Sequence, residues 1–192
     1  MSELYRHDDL KAEIIGGQRI TMMSPPFSNH NFVRNSIFNI FYNYLRGNVC
    51  VPIGDNHKLV LEENDGYLIP DFFVVCDRTK IKREGVYGSP DLVVEVLSYK
   101  TETADRGVKK ELYQRAGVKE YWLVEPNEKY VEVYLLKGGV LKLERVYRLL
   151  YEKDVDEDFT IVTEFGVSIF PDLKINLEDI FAYVEDWPSI RD

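Results

Sequence analysis

Residues 88–126, GSPDLVVEVLSYKTETADRGVKKELYQRAGVKEYWLVEP, decide the fold. The run DLVVEVL at 91–97 is a strand apolar enough to lie near the centre of a sheet. Thr101 or Thr103 can cap a helix that runs to about residue 116 and is closed by Gly117, and EYWLVEP is the strand that follows. Upstream, DFFVVC at 71–76 is equally apolar, so it is the expected neighbour of 91–97 in one sheet.

Working outward, AEII and QRITMM flank Gly16-Gly17, a two-residue hairpin signal. After Pro25-Pro26, Ser28 caps a helix over 28–45 in which Val33, Ile37, Ile40, Phe41, Tyr44 and Leu45 recur at helical spacing before Gly47. KLVLE at 58–62 is a further strand, and YVEVYLL, Gly138-Gly139 and VLKLERVY form a hairpin beyond the core. An acidic segment, EKDVDED, further short strands and an amphipathic INLEDIFAYVEDW complete the chain. The expected class is α/β: a mixed sheet core flanked by helices, with a β-hairpin at the N-terminus and a β-hairpin extension towards the C-terminus. One domain over 1–192 is expected, with its core at about 12–181.

With 192 residues and 45% hydrophobic content the chain can bury a core, and no run approaches the ~20 apolar residues of a membrane helix. The start, MSELYRHDDLKAE, lacks the apolar stretch of a signal peptide, which points to the cytoplasm and away from membranes. Cys50 and Cys76 lie far apart without a CxxC partner, so both read as small buried residues, and His7, His30 and His57 lack zinc-ligand spacing.

The net charge of -9 argues against coating nucleic acid by bulk electrostatics. Its distribution is uneven: -4 over residues 1–77, +4 over 78–119 and -9 over 120–192. A basic lip beside an acidic site suits an anionic substrate, and a solvated charged face is the alternative.

Phosphate loops, HExxH, GxSxG and dinucleotide fingerprints are all missing from the sequence, which leaves carboxylates to carry chemistry. Asp71 opens an apolar strand after Pro70, and Glu95 lies within LVVEVL, where an ionised group is costly unless paired or metal-bound. On adjacent strands, ~4.8 Å apart, the two can share a hard cation such as Mg²⁺ or Mn²⁺. Asp91 is roughly 13 Å along the strand from Glu95, at ~3.3 Å per residue, and is a rim candidate. If Ala104, Val108, Leu112 and Ala116 are the buried stripe of the helix, Lys109 flanks it at about 80° and reaches the sheet, with Tyr113 one turn on, while Lys110 points about 180° away.

The order helix, Asp after Pro on a strand, acid on the next strand, helix and strand resembles the PD-(D/E)xK nuclease fold. More specifically, MSPP with His30 behind it, IPDFFVVCD, GSPDLVVEVLS, DRGVKKELYQRAGVKEYWLVEP and VEVYLL resemble a large bacterial family of restriction-endonuclease-like proteins of unknown function. The resemblance implies that Asp71 and Glu95 are the two motif acids and hold the metal. The usual ExK lysine is replaced by Leu97, and Lys109 takes the migrated position, giving a catalytic set of Asp71, Glu95 and Lys109. His30, in the first turn of the long helix, joins Asp91 and Tyr113 as a second-tier candidate.

The function so implied is a Mg²⁺- or Mn²⁺-dependent endonuclease acting on nucleic acid, with DNA the expected substrate, working as a homodimer. The Val96 carbonyl is a further candidate metal ligand, and Arg78, Lys80, Lys82, Arg83, Lys100 and Arg106 are candidate phosphate contacts. Competing readings are a catalytically silent interaction or assembly module on a nuclease scaffold, and a metal-dependent hydrolase of a small substrate.

Overall fold

A computed structural model of the protein describes residues 12–15, 18–21, 28–62, 66–151 and 161–186. It opens with strands β1 (Ala12–Ile15) and β2 (Gln18–Thr21), then helix α1 (Ser28–Leu45). Strands β3 (Val51–Gly54), β4 (Leu59–Val60), β5 (Gly66–Tyr67), β6 (Phe72–Val75), β7 (Ile81–Lys82), β8 (Gly85–Tyr87) and β9 (Leu92–Val96) follow. Next come α2 (Glu102–Ala104), a π-turn over Asp105–Lys109 and α3 (Lys110–Ala116). Strands β10 (Glu120–Glu125), β11 (Tyr130–Lys137), β12 (Val140–Arg148), β13 (Glu164–Val167) and β14 (Phe170–Asn176) lead to α4 (Leu177–Phe181).

Six strands form the central mixed sheet, in the order β12-β11-β10-β9-β6-β3. β6 and β9 are antiparallel neighbours, as expected from their composition, with Phe72 opposite Val94. β9 and β10 are parallel, with Glu95 beside Leu123, and α2, the π-turn and α3 form the crossover that parallel strands require. β11 and β12 extend the same sheet rather than standing apart from it. Their turn needs a left-handed backbone at both positions, which Gly138 (φ 63°) and Gly139 (φ 79°) supply. The N-terminal hairpin forms with Ile15 opposite Gln18, and its Gly16-Gly17 turn lies outside the described residues, as do MSPP and EKDVDED.

Because successive strand residues point to opposite faces, the sheet separates two apolar layers. Val33, Ile37 and Phe41 of α1 pack on one face against Phe72, Val94 and Trp122, together with β13, β14 and α4. Phe73, Val93, Leu97 and Leu123 face the other way, towards Tyr113 of α3, Ile15 of β1, and Leu59 and Val86 of the small β4-β8-β7 sheet. Glu95 alternates with Val94 and Val96, so its side chain joins the second layer.

Two expectations are corrected. The buried stripe of the crossover helix is Asp105, Lys109 and Tyr113, and Val108 is exposed. The π-turn widens the spiral around Gly107 (φ -105°, ψ -106°), and the polar residues find partners inside, so apolarity alone misassigned the phase. Cys50 and Cys76 are joined as a disulfide, because β3 pairs with β6 in a register that sets residue 50 opposite residue 76.

Candidate active site

Continuing the β6–β9 ladder one step beyond Phe72 and Val94 sets Asp71 opposite Glu95, on the two central strands. The Asp71 amide faces Glu95 Oε2 at 3.4 Å, and Asp71 Oδ2 accepts from the Val96 amide at 2.9 Å. A strand residue directs its N–H and C=O to the same neighbour, so the Val96 carbonyl lies on the Asp71 side as well. His30, in the first turn of α1, brings Nε2 to 3.2 Å from Asp71 Oδ2, while its buried Nδ1 has no hydrogen-bond partner among the described residues.

On the crossover side, Glu95 Oε1 accepts from Lys109 Nζ at 3.1 Å and from the Tyr113 hydroxyl at 2.7 Å. Lys109 is 2% exposed, and its ammonium also lies 3.0 Å from Asp105 Oδ1 and 3.2 Å from Glu13 Oε1. Of the three contacts only that to Glu95 is a hydrogen bond, and Glu13 Oε1 and Asp105 Oδ1 face the ammonium as ion pairs. The backbone is tied to this cluster too. The Ile69 amide donates to Glu13 Oε1 at 2.8 Å, and the Tyr121 hydroxyl donates to the Asp105 carbonyl at 2.9 Å.

Glu13 and Asp105 are site residues that the sequence reading missed. Both left a signal: Glu13 is a charge within the short apolar run AEII, and Asp105, Lys109 and Tyr113 repeat every four residues.

Four carboxylates, those of Glu13, Asp71, Glu95 and Asp105, are buried around the ammonium of Lys109, the one buried lysine among the described residues. Burial pushes the Glu95 carboxyl up to about 8; Lys109 opposes the rise, and Asp105, Asp71 and Glu13 add to it. Asp105 is raised for the same leading reason, burial, with Lys109 again opposing. For Lys109 burial acts downward, but the carboxylates outweigh it and hold the ammonium well above its ordinary value. Burial, then the Glu95 charge, raises the Tyr113 hydroxyl, so it stays a proton donor.

Surplus buried negative charge on hard oxygen donors fits a divalent cation of the Mg²⁺ class. Among the described residues no three His, Cys, Asp or Glu side chains converge as a ready cage, because Lys109 stands between Glu13, Glu95 and Asp105. The donors that fit are Asp71, Glu95 and the Val96 carbonyl.

Asp91 lies at the other end of β9, where it accepts from the Cys76 amide at 2.8 Å and pairs with Lys119 at 2.7 Å, so it ties strands rather than joining the site. Several expected phosphate contacts are also engaged within the protein. Arg106 grips Glu132 and Glu102, Arg78 donates to the carbonyls of Val49 and Asn48, and Lys80 donates to that of Ser89.

Comparisons with known proteins come to the same fold. A family model described as "Uma2: Putative restriction endonuclease" matches residues 1–165. An uncharacterized protein of Synechocystis sp., slr1290, is 33% identical over 125 residues, which span 65% of this chain and 65% of that relative's length. A crystal structure of "a putative nuclease belonging to DUF820" from Anabaena variabilis is similar with a TM-score of 0.68 over 91% of both chains at 18% identity, a likeness of fold.

Proposed function

The chain belongs to the Uma2 family, described as putative restriction endonucleases, and from that premise we propose that it is a divalent-metal-dependent nuclease that hydrolyses phosphodiester bonds. The observation that carries this reading is the pairing of Asp71 with Glu95 across adjacent strands, inside a buried cluster whose carboxylates outnumber its ammonium.

Asp71 and Glu95, with the Val96 carbonyl, would hold Mg²⁺ or Mn²⁺. The cation supplies Lewis-acid neutralisation of the charge that develops on the phosphoryl oxygens, and a more acidic water. The protein's own groups set the geometry. Val96 N–H and His30 orient the Asp71 carboxylate, and Lys109 with Tyr113 fixes Glu95 Oε1, leaving Oε2 turned towards Asp71. Lys109 donates to Glu95 and is ion-paired with Glu13 and Asp105, so its role in this reading is to position Glu95 and to offset the charge of the cluster. Preorganisation of this kind supplies several kcal/mol of barrier lowering, so loss of either carboxylate should remove nearly all cleavage.

The nuclease unit in this reading is one domain acting as a homodimer on nucleic acid, with DNA the first substrate to try. Two-fold symmetry suits cleavage of both strands of a duplex, and light scattering that gives a monomer at high micromolar concentration would count against it. One observation favours a second reading, an assembly module without catalysis: much of the basic middle third is engaged by protein acceptors. Calorimetric titration with Mg²⁺ and Mn²⁺, followed by a DNA and RNA cleavage panel, separates the two. The nuclease binds the ion and cuts, with both properties lost in Glu95→Gln. A protein that ignores the ion is the module.

A further inference from the structure

Tyr99 is 97% exposed, the highest value among the exposed large hydrophobic residues described. It stands in the turn that leaves β9 after Glu95 and enters the helix carrying Asp105 and Lys109, so its loop joins the two halves of the candidate site. Four residues span at most ~14 Å, which limits its distance from Glu95. Ligands of open sheets collect at this carboxyl end of parallel strands. The turn is fixed: Thr101 and Glu102 amides donate to the Ser98 carbonyl at 3.1 and 3.0 Å, and the Ser98 and Thr101 hydroxyls lie 3.0 Å apart. The ring is therefore presented on an ordered backbone.

A second observation bears on what meets it. A protein that grips a duplex through phosphates needs unengaged cations. Here Arg78, Lys80, Arg106 and Lys119 are bound to protein acceptors, Lys109 is buried among carboxylates, and Lys110 lies over the Tyr134 ring. Lys82 and Arg83 stay exposed, so the ionic grip is reduced rather than lost, and stacking is a further sequence-tolerant means of holding a nucleic acid that requires a base face not already stacked in a duplex.

Resting on the nuclease reading above, we propose that Tyr99 is a stacking platform for an unpaired nucleobase beside the scissile phosphate, which makes the substrate single-stranded or locally unpaired nucleic acid. The test uses the full chain in Ca²⁺ with two labelled oligonucleotides of equal length, an oligothymidylate and its abasic counterpart, read by fluorescence anisotropy. The wild type should bind the oligothymidylate about fivefold to 150-fold more tightly than the abasic strand, the range for one stacked base. Tyr99→Ala should bring the thymidylate down to the abasic affinity, Tyr99→Trp should keep the preference, and Tyr42→Ala, on the exposed face of α1 well away from His30, should keep it too. Equal binding of thymidylate by wild type and Tyr99→Ala overturns the stacking site while leaving the nuclease reading in place. A wild type that binds neither strand but binds a duplex of the same length overturns the stacking site alone, and one that binds no nucleic acid overturns both.

Discussion

Glu95 is the residue on which pH and metal should meet. Its carboxyl, raised to about 8 chiefly by burial, is protonated in most molecules at neutral pH when no cation is bound. The folded value lies above the ordinary one, so between about 4.5 and 8 the native state holds more protons than the unfolded chain. Glu95 thus stabilises the metal-free protein most below about 4.5, and that contribution is lost as pH rises through about 8. A cation needs the ionised form. Mg²⁺ affinity should therefore rise by about tenfold per pH unit below 8 and level off above it, with a proton released on binding at pH 7. Calorimetry in two buffers of different ionisation enthalpy measures that proton, and identical heats in both would refute the assignment. Glu95→Gln imitates the protonated acid and keeps an acceptor for Lys109 and Tyr113, so at pH 7 it should abolish ion binding with a stability change under about 1 kcal/mol. The adjacent lysines should differ sharply. Lys109→Met leaves buried carboxylates unpaired and should cost about 3–5 kcal/mol by denaturant unfolding. Lys110→Met gives up a cation–π contact, its Nζ 4.0 Å from the Tyr134 ring centroid, for about 0.5–1 kcal/mol. Equal costs would mean that the cluster does not depend on Lys109.

At the scale of the element, the crossover helix is held by polar anchors. Arg106 spans from Glu102, one turn back, to Glu132 on β11, and Tyr134 also donates to Glu132. Burial alone would raise Glu132, but Arg106 and Tyr134 outweigh it and hold the carboxyl below its ordinary value. Arg106→Ala should then lower stability by about 1–3 kcal/mol in a denaturant titration, through the buried Glu132 left with fewer donors. It should leave the salt dependence of any nucleic-acid binding unchanged, and a shallower salt slope would return Arg106 to the phosphate contacts. This helix also shows what a pattern can and cannot reveal. Its span, 102–116, was legible from Thr101, Gly117 and the intervening helix formers. Its phase was not, since an apolar stripe of Ala104, Val108 and Leu112 leaves Lys109 on the flank, whereas Asp105 and Lys109 are buried at its centre with Glu13 and Glu95 around the ammonium.

For the whole molecule, the bond between Cys50 and Cys76 closes 26 residues between α1 and the end of β6, at the opposite end of that strand from Asp71. In the chain-entropy account a closure of this length contributes about 3.5 kcal/mol, so Cys50→Ala with Cys76→Ala should lower the unfolding free energy by about 2–4 kcal/mol and leave ion binding unchanged. Ion binding lost together with the bond would show that the two ends of β6 are coupled. Legible in the sequence were the first hairpin, the central strands β6 and β9 to β12, the helix over 28–45, the adjacency of 71–76 and 91–97 and the facing of Asp71 and Glu95, because apolar runs, caps and strand spacing are local properties, whereas β3, β5, β7 and β8 carried no such run. It took the folded chain to show that Glu13 reaches Lys109 from the first hairpin, that Asp91 serves as a strand tie and that the cysteines meet. Each of these joins segments distant in sequence, and no local pattern carries the register and chain reversals that bring them within a few ångströms.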